Sequence, residues 1–300
     1  MPVQKPPINA TSSNNLGGDY SIYRTCIEQV MQGSERLPSL PAITLKIRNA
    51  LANDNITHQQ LAKLVTSDPS LCLLIMRCVS SPIYLTREHP KSIEDAIRLL
   101  GMDGLDRIVM LHSLKSLFVF QNRELRRLFD ITWKRQTLKA CIAEYLAKKL
   151  GYTAPDEVLI ASLLSEAGTL AILSALAHAD EIPDEATYLS LCREYSKSIG
   201  LIILKKWNMG NQYSNIISNS GAWTSNTSAA FKPIALDDLI NLALYHGVAL
   251  FGANHKLPVL NSLDIYKKLP SSLNACDKKG LLKMITEHIP EITQASKILS

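Results

Sequence analysis

The 300-residue chain predicts an all-α protein, on three observations. Apolar residues recur at helical spacing, as in Ile43, Ile47, Ala50 and Leu51. Helix starts and stops are written in capping residues, among them Thr57-His-Gln-Gln60, Ser92-Ile-Glu-Asp95, Gly101 and Gly151. No segment alternates apolar and polar residues as a half-buried strand would.

In chain order, residues 1–18 hold three prolines, a Ser-Ser-Asn-Asn run and Gly17-Gly18, and they read as a disordered tail. Asp19 can cap a first helix to about Gln32, with Ile22, Cys26, Ile27 and Val30 on one side. Leu37-Pro-Ser-Leu-Pro41 is stiff and extended, because proline disfavours the helical region for the residue before it. Pro41 then opens a helix to about Ala52. Thr57 starts a helix to Thr66, and Ser67-Asp-Pro-Ser-Leu71 restarts the chain as an apolar helix to Val79, stopped by Pro82. Ser92 opens a helix closed by Gly101, and Leu105 to Phe120 is another. Arg123 to Leu150 is one long helix or two, ended by Gly151. Pro155-Asp-Glu begins an apolar helix that continues to about Ala177. Glu185–Trp207 is long and amphipathic, a short helix surrounds Tyr213–Ser218, and 221–232 is a loop. Pro233–Gly252 is helical, and two or three short helices follow between about Leu263 and Leu299.

The stretch from Val158 to Ala177 is apolar on nearly every face, with one ionisable residue, Glu166, near its middle. Such a helix belongs in a protein centre or a membrane. Glu166 and three serines interrupt it, and no aromatic belt flanks it, so it reads as a buried core helix. A net charge of +5 is too mild to indicate a nucleic-acid partner on its own. Six scattered cysteines without a Cys-x-x-Cys pair suit reduced thiols in the cytoplasm, and the polar N-terminus lacks a signal core.

Four groups of residues stand in register: Leu37-Pro-x-Leu-Pro41; Ser67-Asp-Pro-Ser-Leu71; Arg77-Cys-Val-Ser-Ser-Pro-Ile-Tyr84; and Ser92-Ile-Glu-Asp-Ala-Ile-Arg-Leu-Leu-Gly101. In order and spacing they resemble the HDOD family of bacterial signalling proteins. The likeness continues through Trp133-Lys-Arg-Gln-Thr-Leu138, Leu163-Leu-Ser-Glu-Ala-Gly168 and Gly200-Leu-Ile-Ile-Leu-Lys-Lys-Trp207. The resemblance implies an N-terminal helical lobe, taken as 19–121. It also implies a second lobe similar to the HD-type metal-dependent phosphohydrolases, taken as 122–300 with a C-terminal helical extension.

That second lobe supplies a chemical test. HD enzymes hold metal with a His from one helix, an adjacent His-Asp pair and a later Asp. The metal acidifies a bound water and clamps phosphate oxygens, so its ligands cannot be spared. Carried over, the pair falls on Ser165-Glu166, the first His on Arg135 or Gln136, and the later Asp near Leu244. These residues do not make a catalytic divalent-ion site, and no metal or other cofactor is expected. His178 lies about 18 Å along a continuous helix from Glu166, and His246 points away from the Leu244 side of its helix. No Gly-x-Ser-x-Gly, phosphate-binding Gly-x-x-x-x-Gly-Lys or Gly-x-Gly-x-x-Gly motif is present. The expectation is a buried polar cluster in which Arg135 donates to Glu166 and Ser165 fills a remaining bond. The alternative is a Glu166 that points through a gap to solvent.

Residues 107–149 contain ten basic residues against Glu124, Asp130 and Glu144. Arg123, Arg126, Arg127, Lys134 and Lys139 are the candidate binding surface, near the junction of the lobes. The reading is a cytoplasmic, non-catalytic regulatory protein that contacts other signalling proteins through the groove between lobes. Two alternatives remain open. One is a phosphohydrolase with a rebuilt metal site, and the other is a nucleotide or nucleic-acid binder using the basic segment.

Overall fold

Helices form where the capping residues place them. The computed structural model describes residues 21, 23–25, 27–28, 31–32, 38–80, 90–179, 181–223, 233–251 and 257–299. The expected 1–18 tail, the Asp19 cap, the Pro82 stop and most of the 221–232 loop lie outside these residues. Among them there is no strand, only an isolated antiparallel bridge between Cys276 and Leu282.

The described positions between 21 and 32 are helical and form α1. Four helices follow: α2 (Ala42–Leu51), α3 (His58–Val65), α4 (Pro69–Val79) and α5 (Ile93–Ser116). Thr57 and Gln60 make the reciprocal capping box that starts α3. Asp68 accepts from the Ser70 and Leu71 amides, with Pro69 at the first position of α4, where no amide is needed. Ser92 caps α5 through the Asp95 amide. Inside α5, Gly101 takes φ 72°, a left-handed conformation that side chains resist, and turns the helix there. Ile47, Leu61, Leu71, Ile75, Ile97 and Leu105 close these helices around one apolar cluster.

The long strut is α6 (Arg123–Lys149), a single helix where the sequence left one or two open. Asn122 caps its start by accepting from the Glu124 and Leu125 amides. Its end is a glycine turn: Gly151 has φ 68°, and the Tyr152 amide donates to the Ala147 carbonyl at 2.8 Å. Against this strut pack α7 (Pro155–Leu164), α8 (Ala167–Leu176) and α11 (Leu236–Leu250), while α9 (Glu185–Lys206) lies on α8 and α10 (Asn211–Asn219) lies against α9 and α11. The chain closes with a short 3₁₀ turn, α12 (Asp264–Lys268), α13 (Lys283–Thr286) and α14 (Ile289–Leu299).

The expected continuous helix from Val158 to Ala177 is therefore two helices, broken at Ser165–Glu166, where Glu166 has φ −116° and ψ 15°. Glu157–Leu176 is long and apolar enough to cross a membrane by length and composition, and 83% of its apolar 18-residue window is buried inside the protein. It fills the middle of an apolar core that runs without interruption from Met110–Phe120 into Leu125–Trp133.

Four hydrogen bonds tie distant parts of the chain together. The Trp207 indole at the end of α9 donates to the Pro38 carbonyl at 2.9 Å, joining the first and last of the sequence groups. The C-terminal α14 lies along α6, where Ser296 donates to Thr137 and Leu299 accepts from the Trp133 indole, both at 3.1 Å. The same helix reaches α4, because the Arg77 guanidinium donates to the Lys297 carbonyl at 3.2 Å.

Candidate functional site: an ammonium-filled pocket

The break between α7 and α8 is what builds the site. In an unbroken helix, neighbouring side chains diverge by about 100°. The non-helical turn at Glu166 instead aims Ser165 and Glu166 at the same group, the ammonium of Lys139 on α6. Lys139 Nζ donates to Ser165 Oγ at 2.8 Å and forms an ion pair with Glu166 Oε1. The Ser165 hydroxyl in turn donates a hydrogen bond to the Ser162 carbonyl at 2.7 Å. Lys139 is 3% exposed, whereas the Glu166 side chain is 25% exposed. The pair therefore closes the inner end of a pocket, with the carboxylate on the open side.

Gln136 holds the break itself. Its amide donates to the Glu166 carbonyl at 3.2 Å and to Thr169 Oγ1. The Thr169 hydroxyl donates to the same carbonyl at 2.7 Å and the Thr169 amide at 3.0 Å, so the backbone oxygen at the start of α8 accepts three hydrogen bonds. Behind the break, α8 and α9 cross closely. A side chain at Gly168 would put its Cβ 1.9 Å from the Ser196 carbonyl oxygen.

Arg135 does not take the expected role. It pairs with Glu185 at 3.2 Å, at the first turn of α9, and lies 5.6 Å from the centre of the Phe251 ring. Its stem leaves α6 one turn before Lys139, which reaches Glu166 instead. Lys139 is likewise misplaced as a surface residue, because its apolar neighbours on α6 carry it into the core. Of the remaining basic candidates, Arg127 pairs with Glu124 and Glu185, Arg126 donates to the Phe120 carbonyl, and Arg123 and Lys134 are exposed. These residues do not form one continuous stripe.

The pocket has a volume of ≈370 Å³. Leu244, the position of the later Asp, lies on its apolar wall with Val248 and Phe251, opposite Arg193 and Lys197 of α9. His246 faces the other way and is fully buried. Its Nδ1–H donates to the Leu242 carbonyl at 2.8 Å, and its Nε2 accepts from the Leu282 amide at 3.1 Å. Burial pushes its pKa down to about 4. The Cys192 thiol, also on the pocket wall, is pushed up to about 12 by burial, so at neutral pH it is not a thiolate.

These residues do not fit a catalytic divalent ion. The ammonium has no lone pair to give and already occupies the Glu166 carboxylate and the Ser165 hydroxyl. Leu244 offers no donor, and Gln136, whose Nε2 is committed to the helix break and whose buried Oε1 has no hydrogen-bond partner among the described residues, is not part of the pocket lining. Among the described residues no three His, Cys, Asp or Glu side chains converge. The sequence assigned Lys139 to the surface, and what it missed was the burial of that side chain against Glu166. The signal was a single lysine inside the apolar run Leu138–Ala143, the counterpart of the single glutamate inside Val158–Ala177.

The model for the HDOD domain matches residues 37–222. Three solved structures have the same fold. A protein of Shewanella amazonensis SB2B named for metal-dependent phosphohydrolases is 17% identical, with TM-score 0.70, 92% of this chain covered and 99% of that one. An HDOD domain protein with unknown function from Geobacter sulfurreducens is 20% identical, with TM-score 0.61, 95% of this chain covered and 99% of that one. A protein of Marinobacter aquaeolei VT8 named for signal transduction is 19% identical, with TM-score 0.57, 97% of this chain covered and 66% of that one. No curated protein matches the chain.

Proposed function

The chain belongs to the HDOD domain family, and from that premise we propose that it is a non-catalytic regulatory protein acting by contact with other proteins in the cytoplasm. The observation that carries this reading is the Lys139 ammonium bonded to Ser165 and Glu166, the two residues that align with the metal-binding pair. A fixed internal cation there neutralises the carboxylate without supplying an acidic water or an open coordination position. The name of the Marinobacter structure, signal transduction, points the same way, and the Shewanella name points to hydrolysis.

A hydrolysis assay with bis(p-nitrophenyl) phosphate and added Mn²⁺ or Mg²⁺ separates the two. The proposal expects the parent and Glu166→Gln proteins to give the same background rate. Turnover by the parent that Glu166→Gln abolishes would establish a rebuilt catalytic site instead.

The pocket favours one second reading, an anionic ligand such as a nucleotide. Arg135, Lys139, Arg193 and Lys197 line it against the single carboxylate Glu166. That reading expects nucleotide binding that weakens steeply with salt and is lost in Arg193→Glu/Lys197→Glu.

A further inference from the structure

A second concavity, of ≈510 Å³, opens between α4, the end of α5 and the start of α6. Phe118 and Phe129 form part of its lining, both buried, and Leu73 and Val119 stand on its rim, 71% and 75% exposed. One exposed leucine on a protein surface signifies little. Two large apolar side chains flanking the same aromatic-lined concavity make a contiguous apolar feature of the kind that docks a partner.

Its charge is one-sided. Arg77, Lys115 and Arg126 line it against the single carboxylate of Asp130. Arg77 donates to the Lys297 carbonyl and Arg126 to the Phe120 carbonyl, so each guanidinium is held in place by a neutral acceptor that leaves its charge uncompensated. Lys115 is pushed below the ordinary lysine range by burial and by the Arg77 charge, with Asp130 acting in the opposite sense. Cations crowded in this way around an apolar floor are relieved by carboxylates brought from outside.

We propose that this groove binds an acidic amphipathic segment of a partner protein, its apolar side chains against Phe118, Leu73 and Val119 and its carboxylates against Arg77, Lys115 and Arg126. The inference rests on the protein-contact reading above and gives the partner its chemistry. The mode is an apolar face laid into a groove, with charge fixing its orientation.

Selection of a random linear peptide library on the whole chain tests it. Enriched peptides are expected to combine aspartate or glutamate with leucine, isoleucine, phenylalanine or methionine. The best of them should lose at least about tenfold in affinity for Leu73→Asp/Val119→Asp and for Arg77→Glu/Arg126→Glu. The rim residues are exposed, so the first variant keeps its fold. No enrichment, enrichment of basic or uncharged peptides, or equal binding to parent and both variants would overturn the proposal. Each of those outcomes leaves the non-catalytic reading standing, since the hydrolysis assay decides it separately.

Discussion

Lys139 and Glu166 are unequal partners, and the inequality can be measured. Removing Glu166 strands an ammonium that is 3% exposed, whereas removing Lys139 leaves a carboxylate that water reaches through the pocket. Glu166→Ala should cost about 3–5 kcal/mol in urea unfolding, and Lys139→Met distinctly less. The double variant Lys139→Met/Glu166→Leu should recover most of the loss, because replacing both charges removes the stranded one. Simple addition of the single losses would mean the two side chains are not coupled. His246 gives a pH signature. Its folded-state pKa lies near 4, below the ordinary 6.5. The neutral ring thus stabilises the fold fully above pH 6.5, and the contribution, about 3 kcal/mol, is lost as pH falls through 4. His246→Gln should flatten that part of the difference between urea midpoints at pH 7 and pH 4. At this scale the sequence was legible in kind but not in pairing. An acid and a base in the positions that the HD resemblance assigns to metal ligands were visible, yet Arg135 and Lys139 are one helical turn apart. Only the break at Glu166 decides which of them the carboxylate meets.

Among the elements, capping chemistry was the most readable part of the chain. Thr57, Asp68, Ser92 and Gly151 set helix ends in the structure as local hydrogen-bonding and φ preferences dictate, and Gly101, expected to close a helix, kinks α5 instead. The break between α7 and α8 was not readable, because no proline marks it. It depends on Gln136 and Thr169 from two elements, both of which serve the Glu166 carbonyl. Gly168 is the other long-range requirement. Its absent side chain lets α8 approach the Ser196 carbonyl, where a Cβ would sit at 1.9 Å. Gly168→Ala should therefore destabilise by more than about 2 kcal/mol although alanine favours helices. Stability equal to the parent would mean that α8 and α9 slide apart freely.

Across the whole molecule, α14 binds the two ends of the fold. It presses on α6 through Ser296 and Leu299 and on α4 through Lys297, while Ile292 fills the apolar cluster under α11 and α13. Deleting residues 289–299 should lower stability by at least about 3 kcal/mol through lost apolar burial. It should also shift Trp133 emission to the red, because the indole, buried and bonded to the Leu299 carbonyl, becomes open to water. The helical class and the family were legible from the N-terminal groups, whereas this strap was not, since its contacts lie more than a hundred and fifty residues away along α6. An internal ammonium stands at Ser165–Glu166, the positions onto which the HDOD resemblance carries the metal-binding pair of HD enzymes. Titration with Mn²⁺, with free ion followed by its electron paramagnetic resonance signal, tests it most directly. Identical free-ion curves are expected for the parent and for Glu166→Gln. Stoichiometric uptake by the parent that Glu166→Gln abolishes would contradict it.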